Sequence, residues 1–115
     1  MIKRATAMER ELRERMRDGT GTVEILHVFR AAELKGRSRL FARLRLGPGS
    51  SIGYHVHEGE EEIFYILSGS GQVTENGVVS PVGPGDAVLT GGGAGHSIAC
   101  TGDGSLDLLA VILLY

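Results

Sequence analysis

From Thr22 onward the chain is cut into short runs by glycine. "TVEILHVF", "SRLFARLRL", "IFYILS", "QVTENGVVS" and "SLDLLAVILLY" are each bounded by turn residues, among them "GPGS" and the glycine-rich "VGPGDAVLTGGGAGHSIAC". Glycine makes up 18 of 115 residues, more than twice the usual share of roughly 7%. In "SRLFARLRL", Leu40, Ala42, Leu44 and Leu46 alternate with Arg39, Phe41, Arg43 and Arg45, the period of a half-buried strand. "IFYILS" is apolar on both faces, as in a buried strand. Asn76-Gly77 is the pair a type I′ hairpin turn requires, because both central residues need positive φ. Strands at this spacing imply an all-β sandwich or small barrel of two packed sheets.

Before Thr22 the pattern changes. Met8, Leu12 and Met16 recur at helical spacing, with Glu9/Arg13 and Glu11/Arg15 placed for i,i+4 ion pairs, which predicts a short N-terminal helix near Ala7 to Arg17 ended by Gly19 and Gly21. The expected division is therefore an N-terminal helical or extended segment over 1–21 and a single barrel domain over 22–115.

The length suits one domain with its own core. A formal charge of −2 and a pI near 6.1 give no basis for binding nucleic acid or an anionic membrane, leaving small molecules and proteins as partners. One cysteine, Cys100, rules out an internal disulfide and suits a cytoplasmic location. The N-terminus has no apolar h-region, and "LLAVILLY" is too short to span a bilayer as a helix, so the chain reads as soluble and full-length.

The chemistry concentrates in "GSSIGYHVHEGEEEIFYILSG". His55 and His57 share a strand face, and two imidazoles converging there can share an ion if a third ligand returns from a neighbouring strand. Glu58, Glu60, Glu61 and Glu62 are all candidates by position. Imidazole with carboxylate suits a transition metal rather than an all-oxygen calcium site. A surface histidine pair beside a solvated acidic turn would give the same local pattern.

Two motifs separate these readings by resemblance. Gly49, His55, His57, Glu62 and Gly69 reproduce the first motif of the cupins: glycine, five residues, HxH, three or four residues, glutamate, six residues, glycine. Gly85, Gly91, Gly93, His96 and Cys100 follow the second, with Gly91 in place of a proline and Cys100 in place of an asparagine. The sequence resembles that family over roughly Val23 to Tyr115. The resemblance implies a double-stranded β-helix, the cupin jelly-roll barrel, holding a divalent transition metal (Mn, Fe, Zn or Ni) on His55, His57, Glu62 and His96. It selects Glu62 over Glu61 by the gap to Gly69. The glycine at 91 is expected to loosen a turn that proline would fix.

Other residues receive plainer roles. Cys100 lies about 13 Å along a strand from His96 and is expected to be a small buried hydrophobe rather than a ligand. His27 has a structural or surface role, Asp86 supports its turn, and Tyr54 points away from the histidines. Phe64, Ile66 and Ile98, with the Leu40 strand, are expected to line a mostly apolar cavity. Arg39, Arg43 and Arg45 form an outward ladder, and no inward arginine is evident. The resemblance implies a metal-dependent enzyme acting on a small carboxylate, enol or sugar-like substrate by oxygenation, decarboxylation or isomerisation, or else a non-catalytic module that binds a small molecule or metal. The apolar last strand suggests a homodimer.

Overall fold

The computed structural model describes residues 1–115 and contains ten strands in two antiparallel sheets. In chain order these are β1 (Glu9–Glu14), β2 (Thr22–His27), β3 (Ser38–Leu46), β4 (Ser51–Val56), β5 (Glu60–Ser68), β6 (Gly71–Glu75), β7 (Val78–Val82), β8 (Ala87–Gly91), β9 (Gly95–Cys100) and β10 (Leu106–Leu114). The larger sheet runs β1-β2-β3-β10-β5-β8 and the smaller β4-β9-β6-β7. This is the all-β jelly roll expected from the strand spacing and the motifs. No helix is long and apolar enough to cross a membrane.

Alternation places the core between the sheets. On β3, Ala42, Leu44 and Leu46 are buried, and Ile25 on β2, Phe64 and Ile66 on β5 and Leu108 on β10 join them. They face Ile52, Val73 and Ile98 from the smaller sheet. The β6–β7 hairpin turns at Asn76 and Gly77 with φ of 52° and 75°, the left-handed pair that its sequence predicts. Arg43 and Arg45 pair with Asp107 of this same chain, so part of the arginine ladder is engaged internally.

The N-terminal helix is not formed. Only short 3-10 turns occur, at Ala5–Ala7, Met16–Asp18 and Ala31–Glu33, and Glu9–Glu14 is a strand paired with β2 from Glu9↔His27 to Glu14↔Thr22. Met8, Leu12 and Met16 share no packed face: Leu12 is 67% exposed, whereas Met16 packs on the core. The edge of β2 offers this segment a full backbone ladder. Cross-strand partners add to it, with Arg10 Nε 3.0 Å from Glu24 and Glu11 2.8 Å from His27. Helix propensity, worth a few tenths of a kcal/mol per residue, is overridden by that tertiary pairing.

Candidate metal centre

The histidines are aimed by an irregularity in β4. Ile52 lies opposite Ile98 and the next registered pair is His55 opposite His96, so β4 spends three residues where β9 spends two. That bulge turns both Ile52 and His55 inward despite their odd spacing and leaves Tyr54 outward, 57% exposed. Gly53 is needed there, because a Cβ would lie 1.9 Å from the Arg17 carbonyl oxygen. His57 follows the end of β4. Its N–H donates to the Ala94 carbonyl at 3.0 Å and its carbonyl accepts from Gly93 N–H at 2.9 Å. The partner turn passes through Gly92 and Gly93 at φ of 66° and 90°, conformations that favour glycine.

Glu62 enters from the other sheet, on β5, opposite Thr90 of β8 and Ile112 of β10. The structure thus gathers all four motif residues, with one ligand-type atom of each lying within 4.8 Å of the others. His96 Nε2 is 2.9 Å from Glu62 Oε1, 3.1 Å from His57 Nε2 and 3.2 Å from His55 Nε2.

Hydrogen bonding on the far side of two rings fixes what faces the centre. His55 Nδ1 donates to the Gly53 carbonyl at 2.8 Å, and His57 Nδ1 donates to Glu60 Oε2 at 2.5 Å. Each neutral ring then presents a bare Nε2 lone pair inward. Two such lone pairs beside a third imidazole nitrogen and a carboxylate repel unless a cation lies among them. The donor set therefore fits a divalent transition ion. His96 is held differently, stacked on Phe64 with centroids 4.8 Å apart and planes 6° from parallel, while its buried Nδ1 has no partner. Burial disfavours ionisation of Glu62, but the hydrogen bond it accepts from His96 Nε2–H at 2.9 Å and the polar imidazole cluster around it outweigh that cost and hold the carboxyl at about 2.

Glu60 was not singled out among the acids, yet it anchors the site. Its carboxylate takes both the His57 Nδ1–H and a paired contact from Arg39, at 2.8 and 2.7 Å. The Arg39 hydrogen bond, with a smaller contribution from His57, holds its carboxyl at about 2 against the cost of burial. Glu60 shares strand parity with Glu62, so period two carried the signal. Glu61 faces the other way, opposite Gly91.

His55, His57 and Glu62 border a cavity of about 170 Å³, with His96 fully buried behind them. Leu40, Leu44, Ile52 and Ile112 supply apolar wall, but Ile66 and Ile98 lie in the core instead, and Phe64 acts through His96. The rest of the wall is more polar than expected: His27, Glu11 and the arginines Arg13, Arg17, Arg30 and Arg39. Arginines therefore do border the cavity, Arg13 on β1, Arg17 and Arg30 in the segments after β1 and β2, and Arg39 on β3, with exposed side chains at its rim. His27 is buried, and its Nε2 is 2.8 Å from Glu11 Oε1. Cys100 is buried away from the cluster, its Sγ 3.2 Å from the Gly104 carbonyl oxygen, and Asp86 accepts from Gly83 N–H at 2.8 Å as a turn support. Gly91 does not loosen a turn: a Cβ there would meet Glu61 Cβ at 2.6 Å and the Glu60 carbonyl oxygen at 2.9 Å, so β8 approaches β5 too closely for a side chain.

The cupin domain family matches residues 42–112. The chain belongs to the cupins. Among curated relatives, the oxalate-binding protein of Thermotoga maritima is 45% identical over 114 residues, covering 99% of this chain and 94% of that protein. A crystal structure of a predicted oxalate decarboxylase from Thermotoga maritima superposes with a TM-score of 0.95 at 44% identity over the full length of both chains. A polyketide cyclase of Streptomyces resistomycificus, 22% identical over 97% of this chain and 78% of its own, has a TM-score of 0.78 and shares the cupin fold alone.

Proposed function

We propose that this cupin binds a divalent transition metal through His55, His57, Glu62 and His96, and uses it to bind a small dicarboxylate of the oxalate type. The observation that carries the reading is the pair of bare imidazole nitrogens turned toward Glu62 and His96 by the Gly53 carbonyl and Glu60. Four protein donors leave open positions on a six-coordinate ion, which supplies a Lewis-acidic point that a chelating carboxylate can occupy. The cavity supports this choice of ligand. It is small, and one arginine on its wall, Arg17, has no internal carboxylate partner and is available to a dianion. The name of the 45% identical relative points the same way.

The test is elemental analysis of protein purified without chelator, followed by calorimetric titration of the metal-loaded protein with oxalate. About one equivalent of a transition metal, and oxalate heat that disappears when the metal is removed, are expected. Metal-free protein that takes up no added ion would overturn the reading.

Catalysis is a second reading, favoured by His27. Decarboxylation of a hydrogen-oxalate ion gives carbon dioxide and formate, and the proton must move from oxygen to carbon. His27, held by Glu11, is a proton carrier on the cavity wall outside the tetrad. Formate release by the metal-loaded protein, lost in His27→Gln with oxalate binding retained, separates this reading from simple binding.

We further propose a homodimer formed through the outer face of the larger sheet, where Tyr65, Leu67 and Leu89 are exposed. Light scattering that gives 12.2 kDa would refute it. Cys100, buried and unpaired, suits a reducing compartment, and we propose the cytoplasm.

A further inference from the structure

Three of the four arginines on the cavity wall are already neutralised within the chain. Arg13 Nε donates to Glu11 at 2.9 Å, Arg30 Nε to Glu9 at 2.9 Å, and Arg39 to both oxygens of Glu60. Arg17 lines the same cavity and has no carboxylate partner.

The backbone that carries Arg17 is the most constrained in the molecule. Arg15, Arg17 and Asp18 all have left-handed φ, of 48°, 55° and 61°; the other non-glycine residue with positive φ is Asn76 in its hairpin turn. Such conformations persist only where surrounding structure over-determines them, and they concentrate at functional positions. Here the surroundings are explicit. The Arg17 carbonyl packs on Gly53, where a Cβ would lie 1.9 Å away, and Gly19 packs on the Ser51 carbonyl, where a Cβ would lie 2.2 Å away. Ser51 N–H donates to the Thr20 carbonyl at 2.8 Å, and Thr20 N–H donates to Ser51 Oγ at 2.9 Å. A strained turn bearing an unpaired cation is thus fastened to the bulge of the strand that carries His55.

We propose that Arg17 determines the ligand specificity of the cavity, receiving the outer oxygens of a dicarboxylate whose inner oxygens chelate the metal. The proposal rests on the metal and dicarboxylate reading above. Chelated oxalate uses one oxygen from each carbon, and its remaining two oxygens lie side by side on the edge away from the ion. That edge matches the fork of a guanidinium, which binds such a pair with parallel N–H donors. Arg13, Arg30 and Arg39 would each have to release an internal carboxylate to do the same. Arg17 has none to release. A monocarboxylate chelator such as glycolate offers a single outer oxygen and gains less from the fork.

The test titrates oxalate and glycolate into metal-loaded wild type, Arg17→Gln and Arg17→Lys. Arg17→Gln is expected to weaken oxalate binding by about tenfold or more, the effect of losing a charged hydrogen bond, to affect glycolate less, and to leave metal content unchanged. Arg17→Lys restores part of the oxalate affinity through charge without restoring the preference over glycolate, because an ammonium lacks the fork. The salt dependence of oxalate binding is shallower in Arg17→Gln than in wild type. Wild-type oxalate affinity and wild-type preference in a metal-loaded Arg17→Gln protein would overturn the assignment of Arg17 alone. Wild-type protein that holds metal but binds no oxalate would overturn the dicarboxylate reading and this inference with it.

Discussion

Glu60→Gln tests how the site is held. In the native site the Glu60 carboxylate accepts from His57 Nδ1 at 2.5 Å and from Arg39 at 2.8 and 2.7 Å. Glutamine keeps one acceptor oxygen and turns its NH₂ toward a second donor, so one of the two contacts is lost and the other loses its charge assistance. If His57 loses its partner, its ring can rotate or carry its proton on Nε2, the atom that faces the other three donors. Removing a carboxylate behind a ligating histidine typically costs about 10–100-fold in metal affinity, or roughly 1.4–2.8 kcal/mol at tenfold per 1.4 kcal/mol. The assay is competition for the metal against a fluorescent chelator, with Arg39→Gln alongside. Arg39→Gln leaves Glu60 free to accept from His57 and should shift the affinity less. Wild-type affinity in Glu60→Gln would refute the positioning role. An equal loss in both variants would mean that Glu60 acts through its ion pair with Arg39 and not through the imidazole.

Three further outcomes are expected. Glu62→Gln loses most bound metal and Glu61→Gln retains it, because Glu62 faces the histidines while Glu61 lies opposite Gly91; elemental analysis reversing that order would place the register off by one. The carboxyls of Glu60 and Glu62 are held at about 2 in the folded chain against an ordinary 4.5, so their stabilisation is present above about pH 4.5 and is lost as pH falls toward 2. The melting temperature of the metal-free protein should fall across that window, and less steeply in Glu60→Gln; identical acid profiles would remove Glu60 as a contributor. Gly91→Ala, which drives a Cβ against Glu61 Cβ at 2.6 Å and the Glu60 carbonyl at 2.9 Å, should destabilise by about 1–3 kcal/mol in denaturant unfolding, and no change in the midpoint would show that β8 can move away.

What could be read from the chain alone follows from where each signal resides. The burial of Ala42, Leu44 and Leu46 and the Asn76-Gly77 turn are local, set by period two and by backbone sterics, and both stand in the structure as their sequences imply. The convergence of His55, His57, Glu62 and His96 is not local. It joins two sheets, and the motif spacings carried it where periodicity could not, because the run that follows Glu61 and Glu62 is apolar on both faces and does not tell the two acids apart. β1 was misread because its apolar residues fall at helical spacing, while what decides its conformation is the edge of β2, a partner that no window of β1 contains. The cavity arginines were missed for a related reason. Arg13 lies on that misread strand, and Arg17 lies in a turn whose φ values no propensity would suggest.

The N-terminal segment therefore has more consequence for function than its place outside the two motifs implies. The motifs supply the four candidate donors from β4 and the residue after it, β5 and β9, but much of the cavity wall comes from residues 11–30: Glu11 and Arg13 on β1, Met16 and Arg17 in the following turn, Ile25 and His27 on β2. A helix over Ala7 to Arg17 would have left β2 as a bare sheet edge and removed the Glu11 partner of His27. Pairing as a strand protects that edge and brings charged groups over a small cavity otherwise walled by leucine and isoleucine. The two motifs therefore account for the candidate metal centre, whereas Arg17 and His27, the groups proposed to act on its ligand, come from the segment that precedes them.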